Sequence, residues 1–163
     1  MSSDGAAYSR IFRKIWHDRK FRSLTDDAQI VFLLLLTHPD MTACGGLVTT
    51  LGRLIEDKGN DWTPARMKSA IDRLGKDGMV DFDAKDRLLA LPQWLAYNGP
   101  NGPNAVRGLL SAIVSLPECP LRSTIAGRCL EHLAGKTDEF RKAVAKSWMD
   151  SIRRVANEFG ERE

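Results

Sequence analysis

Apolar residues recur along this chain in short blocks set off by capping and turn residues, and the blocks switch between a helical and an extended period. In the stretch opening at Ser9, residues Ile11, Phe12, Ile15 and Trp16 recur at helical spacing, with a short extended lead-in as the alternative. Thr25 or Ser23 then caps a helix whose first turn holds Asp26 and Asp27, acids suited to the positive end of a helix dipole. Its apolar run, 30–36, is hydrophobic on nearly every side, which predicts a central, buried helix stopping near Thr37-His38-Pro39.

Residues 41–46 read as a loop and 46–50 as a short strand or extended lead-in. Thr50 caps a short helix over 51–58 with Leu51, Leu54 and Ile55 inward, and Gly59 supplies the left-handed residue that ends it. The next helix is marked more strongly. Thr63 is its N-cap, Pro64 its first residue, and Trp62 staples onto Met67. Met67, Ala70, Ile71 and Leu74 form the inward face, and Gly75 or Gly78 ends the helix. Two extended runs, 79–83 and 87–91, flank Ala84-Lys85-Asp86 and predict a β-hairpin with a polar tip.

Turn residues crowd 97–104 and mark a boundary. They divide a domain over 8–98 from a helical extension over 99–163, while residues 1–7 read as a loose end. Helices are expected at about 105–116 and 123–133, the first broken by Leu116-Pro-Glu-Cys-Pro-Leu and the second by Gly135. A last helix should run from Thr137 to about Phe159. Its stripe of Phe140, Val144, Trp148, Ile152, Val155 and Phe159 must be buried, either by folding back or by self-association.

Composition changes this picture little. The 163 residues are 43% hydrophobic and 28% charged, which is ordinary for a globular domain. Charge placement is more informative than the net +3. Residues 8–22 carry Arg10, Arg13, Lys14, Arg19, Lys20 and Arg22 against Asp18 alone, a local +5, so the rest of the chain nets −2. This basic block is a candidate phosphate contact or a partner for acidic surface elsewhere. Cys44, Cys119 and Cys129 lack paired spacing and read as buried, reduced thiols of an intracellular protein. His17, His38 and His132 are scattered, so no metal site is expected. Gly45-Gly46 lacks the phosphate-loop pattern, and no acid–base or nucleophilic constellation is readable, so neither a cofactor nor enzymatic activity is expected. The longest apolar run is too short to span a bilayer.

The order helix, short strand, helix, turn, helix, hairpin is the layout of a mainly α winged helix-turn-helix, here followed by a C-terminal helical extension. That fold places its second short helix in the major groove of duplex DNA and its wing against the backbone. The recognition helix would be 64–75. Its outer face carries Arg66, Lys68, Ser69, Asp72 and Arg73, of which Arg66, Ser69 and Arg73 form one stripe. Arginine reads guanine bidentately, and Lys68 and Ser69 can hold phosphates. Asp72 would be neutralised by Lys68 or Lys76. Thr63 at the start of the helix, with Lys85 and Arg87 on the wing, completes the candidate DNA-binding set. Against this stand a merely solvated helix face, a protein–protein adaptor working through the C-terminal stripe, and a transcriptional regulator.

Several motifs also carry a resemblance. Lys14-Ile-Trp-His-Asp-Arg-Lys-Phe-Arg-Ser-Leu-Thr-Asp-Asp-Ala with its apolar helix and Leu-Thr-His-Pro stop, Leu91-Pro-Gln-Trp-Leu-Ala-Tyr-Asn, Pro103-Asn-Ala-Val-Arg-Gly and Leu116-Pro-Glu-Cys-Pro-Leu fall in one order. In that order they resemble bacteriophage and prophage replication initiators, the replisome organisers with an N-terminal winged helix. The resemblance spans about residues 9–130. It implies double-stranded DNA binding at an origin, recruitment of host replication proteins, and work in the cytoplasm of a bacterial host. It supplies no contact residues. Many such proteins carry a longer C-terminal, helicase-engaging part after a flexible linker, and no such linker is readable here.

Overall fold

The computed structural model describes residues 8–59 and 61–160, so the loose end expected at 1–7 lies outside the described residues. The chain is mainly helical, with one small antiparallel sheet. Residues 8–12 do not extend a helix. Phe12 is extended, a 3-10 turn spans Arg13–His17, and α1 is a single turn, Arg19–Arg22, capped by Asp18, whose carboxylate accepts from Phe21 N at 2.9 Å.

Helix α2 (Asp26–Leu36) begins at Thr25, whose hydroxyl accepts from Ala28 N. It ends where Thr37 Oγ1 donates back to the Leu33 carbonyl. It buries only Ala28, Val31 and Leu35, while Ile30 is 43% exposed. The expectation of a central, fully buried helix is therefore corrected. A helix apolar all round needs neighbours on every side, and α2 has the helix Pro64–Lys76 on one flank and Phe21 beside Phe32 on another.

Helix α3 (Leu51–Lys58) is capped by Thr50 and ends at Gly59, where φ is +63°. Helix α4 (Pro64–Lys76) starts at Thr63 and buries Met67, Ala70, Ile71 and Leu74, the set its spacing requires. Gly78, at φ +67°, closes it: Met79 N reaches the Leu74 carbonyl at 2.9 Å and Gly78 N that of Gly75, a Schellman end. The buried pair His38–Asp57, at 2.9 Å, links the end of α2 to α3. His38 Nδ1 accepts from Asp40 N, so Nε2 is left to donate to Asp57.

Strands β1 (Gly46–Val48), β2 (Asp81–Asp83) and β3 (Leu88–Ala90) pair antiparallel in the order β1-β3-β2, with Leu89 opposite both Leu47 and Phe82. The hairpin turn closes with Asp83 accepting from Asp86 N and Arg87 at φ +55°. Leu88, Leu89 and Ala90 are all buried. Alternate side chains of a strand point to opposite faces, so three consecutive buried residues require cover on both. The second cover is a C-terminal helix, Pro120–Ala134. At the edge of β1, Gly45 sits at φ +79°, and a Cβ there would lie 2.5 Å from Trp94 Cβ. Gly45 thus serves close packing against Trp94 at the start of α5 (Trp94–Asn98), and Gly46 close packing against Leu116.

The C-terminal half holds α6 (Val106–Ser115), α7 (Pro120–Ala134), α8 (Asp138–Ala143) and α9 (Lys146–Asn157). The single helix expected over 137–159 is two, because Val144 and Ala145 are extended. Val144, at the break, and Ile152 and Val155 of α9 are all buried. Helix α9 packs along α7 and α6. Arg122 of α7, buried, donates to the Glu158 carboxylate and to the Leu116 carbonyl, and Ser123 Oγ donates to the Val155 carbonyl at 2.8 Å. Arg128 of α7 bridges to Asp81 of β2 at 2.6 Å. Folding back is thus how the stripe is buried, and one hydrophobic core runs across the expected boundary near residue 98.

Candidate nucleic-acid interface

The outward face of α4 is set by its buried one. With Met67, Ala70, Ile71 and Leu74 turned in, Arg66, Lys68, Ser69 and Asp72 are exposed and Arg73 is half-buried. The cations predicted for this face are not idle. Arg66 makes a bidentate pair with Asp27 at the start of α2, Nε to Oδ2 at 2.7 Å and Nη2 to Oδ1 at 2.6 Å. Its guanidinium also lies 4.3 Å from the centre of the Trp62 ring. The hydrogen bond from Arg66 holds the Asp27 carboxyl below its ordinary range and raises Arg66 in turn. Arg73 donates through Nε to Asp77, one turn on, and through Nη2 to the Ser23 carbonyl, each at 2.8 Å. Of the two partners open to Asp72, Lys68 holds it, at 2.5 Å.

Thr63 Oγ1 accepts from Arg66 N, so this hydroxyl is engaged in capping. Ser69 is exposed between the two arginines, and Lys76, which follows on the same helix, is exposed without an ion pair among the described residues. Lys85 and Arg87 are exposed on the hairpin turn, and β2, which leads into that turn, follows α4 directly. The Arg87 carbonyl, receiving Thr49 N at 2.8 Å, anchors the turn to the residue after β1.

Sequence reading missed the partners. Asp27 and the Ser23 carbonyl come from far along the chain, and nothing local points to them. Only the Lys68–Asp72 spacing of four was read in the sequence, as one of two partners open to Asp72; Arg73–Asp77 has the same spacing. The basic block also comes into view. Lys20 Nζ donates to the Asp77 carbonyl at 3.3 Å, so α1 lies against the C-terminal end of α4. No cation of residues 8–22 takes part in an ion pair among the described residues.

Away from this face, Cys44, Cys119 and Cys129 are unpaired and buried, as their spacing suggested. Burial pushes the Cys129 thiol, and to a lesser degree that of Cys44, above the ordinary range. The Asp83 and Asp86 carboxylates and the Cys119 thiol lie within 4.8 Å of one another, a grouping that their separation in sequence hides. They are three donors able to approach a cation, and Asp83 is already engaged with the Asp86 amide. No helix among the described residues is long and apolar enough to cross a membrane. No protein-family model matches the chain, nor does any curated protein or solved structure.

Proposed function

We propose that this chain is a winged-helix protein that binds duplex DNA, with α4 as the recognition helix and the turn around Lys85 and Arg87 as the wing. The observation that carries the reading is the order of its elements. Helix α2, strand β1, helices α3 and α4 and the β2–β3 hairpin follow one another, with β3 central in the sheet and α4 turning a polar, cation-bearing face outward. A helix presented on a short capped turn beside a charged hairpin is the geometry that enters a major groove.

The ion pairs on α4 are compatible with this role. Pairs open to solvent, such as Arg66–Asp27 and Lys68–Asp72, are screened by water, so an incoming phosphate or guanine edge can displace the carboxylate. The resemblance noted above makes a phage or prophage replication origin the expected site, host replication proteins the expected partners, and the bacterial cytoplasm the expected place of action. The adaptor reading loses its surface, because the C-terminal stripe is largely consumed by packing on α6 and α7.

The test is fluorescence anisotropy with random-sequence duplex across a salt series. Binding should weaken along a log–log slope that counts phosphate contacts. Replacing both Arg66 and Arg73 by Ala should cost roughly 1–3 kcal/mol for each base-reading side chain. Unchanged affinity in the double variant would remove α4 from the interface.

A further inference from the structure

We propose that the N-terminal strip, residues 8–22 with Tyr97, is a second nucleic-acid surface, one that takes single strands by stacking their bases. It goes beyond the duplex reading and stands on different residues. Among the described residues, every aromatic ring more than a third exposed lies here: Tyr8 at 80%, Phe12 at 48%, Trp16 at 58% and Tyr97 at 38%. Elsewhere the aromatic rings are buried or half-buried. Trp16 rests edge-on against the core ring of Phe21, with centroids 5.3 Å apart, and still leaves most of its own surface open.

The rings are interleaved with cations. Tyr8, Arg10 and Phe12 alternate with Ser9 and Ile11, and Arg13, Lys14 and Trp16 follow in the 3-10 turn. Phe12 and Tyr97 form one tilted pair with centroids 5.2 Å apart, and the Lys14 ammonium sits 5.6 Å from both ring centres. The strip is held in place. Arg10 N donates to Asn98 Oδ1 at 2.8 Å and its guanidinium to Asn101 at 3.1 Å. Beneath it lies a cleft of about 430 Å³ whose walls include Phe21, Phe32, Leu36, Met79 and Trp94, with Lys20 at its side.

Charge separates this surface from α4. Arg66, Lys68 and Arg73 each have a carboxylate partner, whereas among the described residues no cation of the strip has one. A local +5 without internal neutralisation calls for a polyanion. The rings decide which kind. In a duplex the base faces are covered by their neighbours, so exposed rings gain nothing from it. In a single strand the faces are open, and each stack on an aromatic ring strengthens binding while the phosphates meet the intervening cations.

The experiment uses the full chain with an end-labelled oligo(dT) of about fifteen nucleotides, within the usual footprint of such surfaces. Binding should be salt-dependent and accompanied by quenching of tryptophan emission, since Trp16 is the most exposed of the tryptophans. Trp16→Ala and Tyr97→Ala should each weaken oligo(dT) binding about tenfold. Both side chains are exposed, so the fold should persist, which circular dichroism checks. The same variants should change duplex affinity less than twofold, while the Arg66/Arg73 double variant should show the opposite pattern. Failure to bind oligo(dT) at low salt overturns the proposal. So does binding insensitive to Trp16→Ala, Phe12→Ala and Tyr97→Ala, or occupancy of the strip by anionic vesicles or an acidic peptide that oligo(dT) cannot displace. Loss of duplex binding alone would instead remove the winged-helix reading and leave this one standing.

Discussion

Replacing Ile152 by Ala probes whether the C-terminal helices are an appendage or part of the unit that would hold DNA. Ile152 lies on α9 and is 0% exposed, in the core cluster shared with α6 and α7. The substitution removes about three carbons, worth roughly 2.4 kcal/mol of transfer free energy at about 0.8 kcal/mol each. A cavity term adds to this wherever the neighbours cannot close in, which brings the expected loss to about 2–5 kcal/mol. For a chain of this size each kcal/mol shifts the midpoint by about 2–4 °C, so Tm should fall by roughly 5–20 °C. Because α7 covers β3 and ties to β2 through Arg128–Asp81, the loss should appear as one cooperative transition. Thermal and urea unfolding, followed by far-UV circular dichroism and by tryptophan emission, should therefore coincide in both proteins. Two separated transitions, with the tryptophan signal of Trp62 and Trp94 unmoved in the variant, would refute the continuous core.

Gly45→Ala should destabilise by at least about 1–3 kcal/mol in urea unfolding, since φ is +79° and the added carbon would meet Trp94. Asp27→Asn tests the α2–α4 tether through pH. A carboxyl held below its ordinary value of 3.8 contributes stability that is complete above that value and is lost as pH falls through its lower, folded value. The stability gap between the native chain and Asp27→Asn should accordingly be constant near neutrality and shrink below about pH 4, read from urea midpoints. The three thiols should resist a disulfide reagent until the chain unfolds, all three then reacting in step, because burial denies access and disfavours the thiolate of Cys44 and Cys129.

Much of the architecture was legible before any coordinates, for reasons that are local. A cap satisfies donors within three residues of itself, so Thr25, Thr50, Thr63 and Thr137 mark helix starts wherever the rest of the chain goes. Gly59 and Gly78 mark ends for the same kind of reason. The period of Met67, Ala70, Ile71 and Leu74 selects a buried face without reference to what buries it. The candidate residues of α4 were thus placed on the correct face from sequence alone.

What that face does in the unbound protein depended on partners distant along the chain. Arg66 is clamped by Asp27 and Arg73 by the Ser23 carbonyl, and no periodicity encodes either contact. The same holds for α2, apolar throughout yet buried along one stripe only, because burial depends on how many neighbours arrive. A run of apolar residues in 79–91 showed a hairpin, but only the arrival of α7 makes β3 buried on both faces. The period of the last helix does not encode its break at Val144, whereas α9 beyond the break packs on α7 and α6. Local hydrogen bonding and periodicity are written in consecutive residues and were determined by the sequence as read. Pairing, exposure and the juxtaposition of Phe12 with Tyr97 are properties of which surfaces meet, and only the tertiary structure decided them.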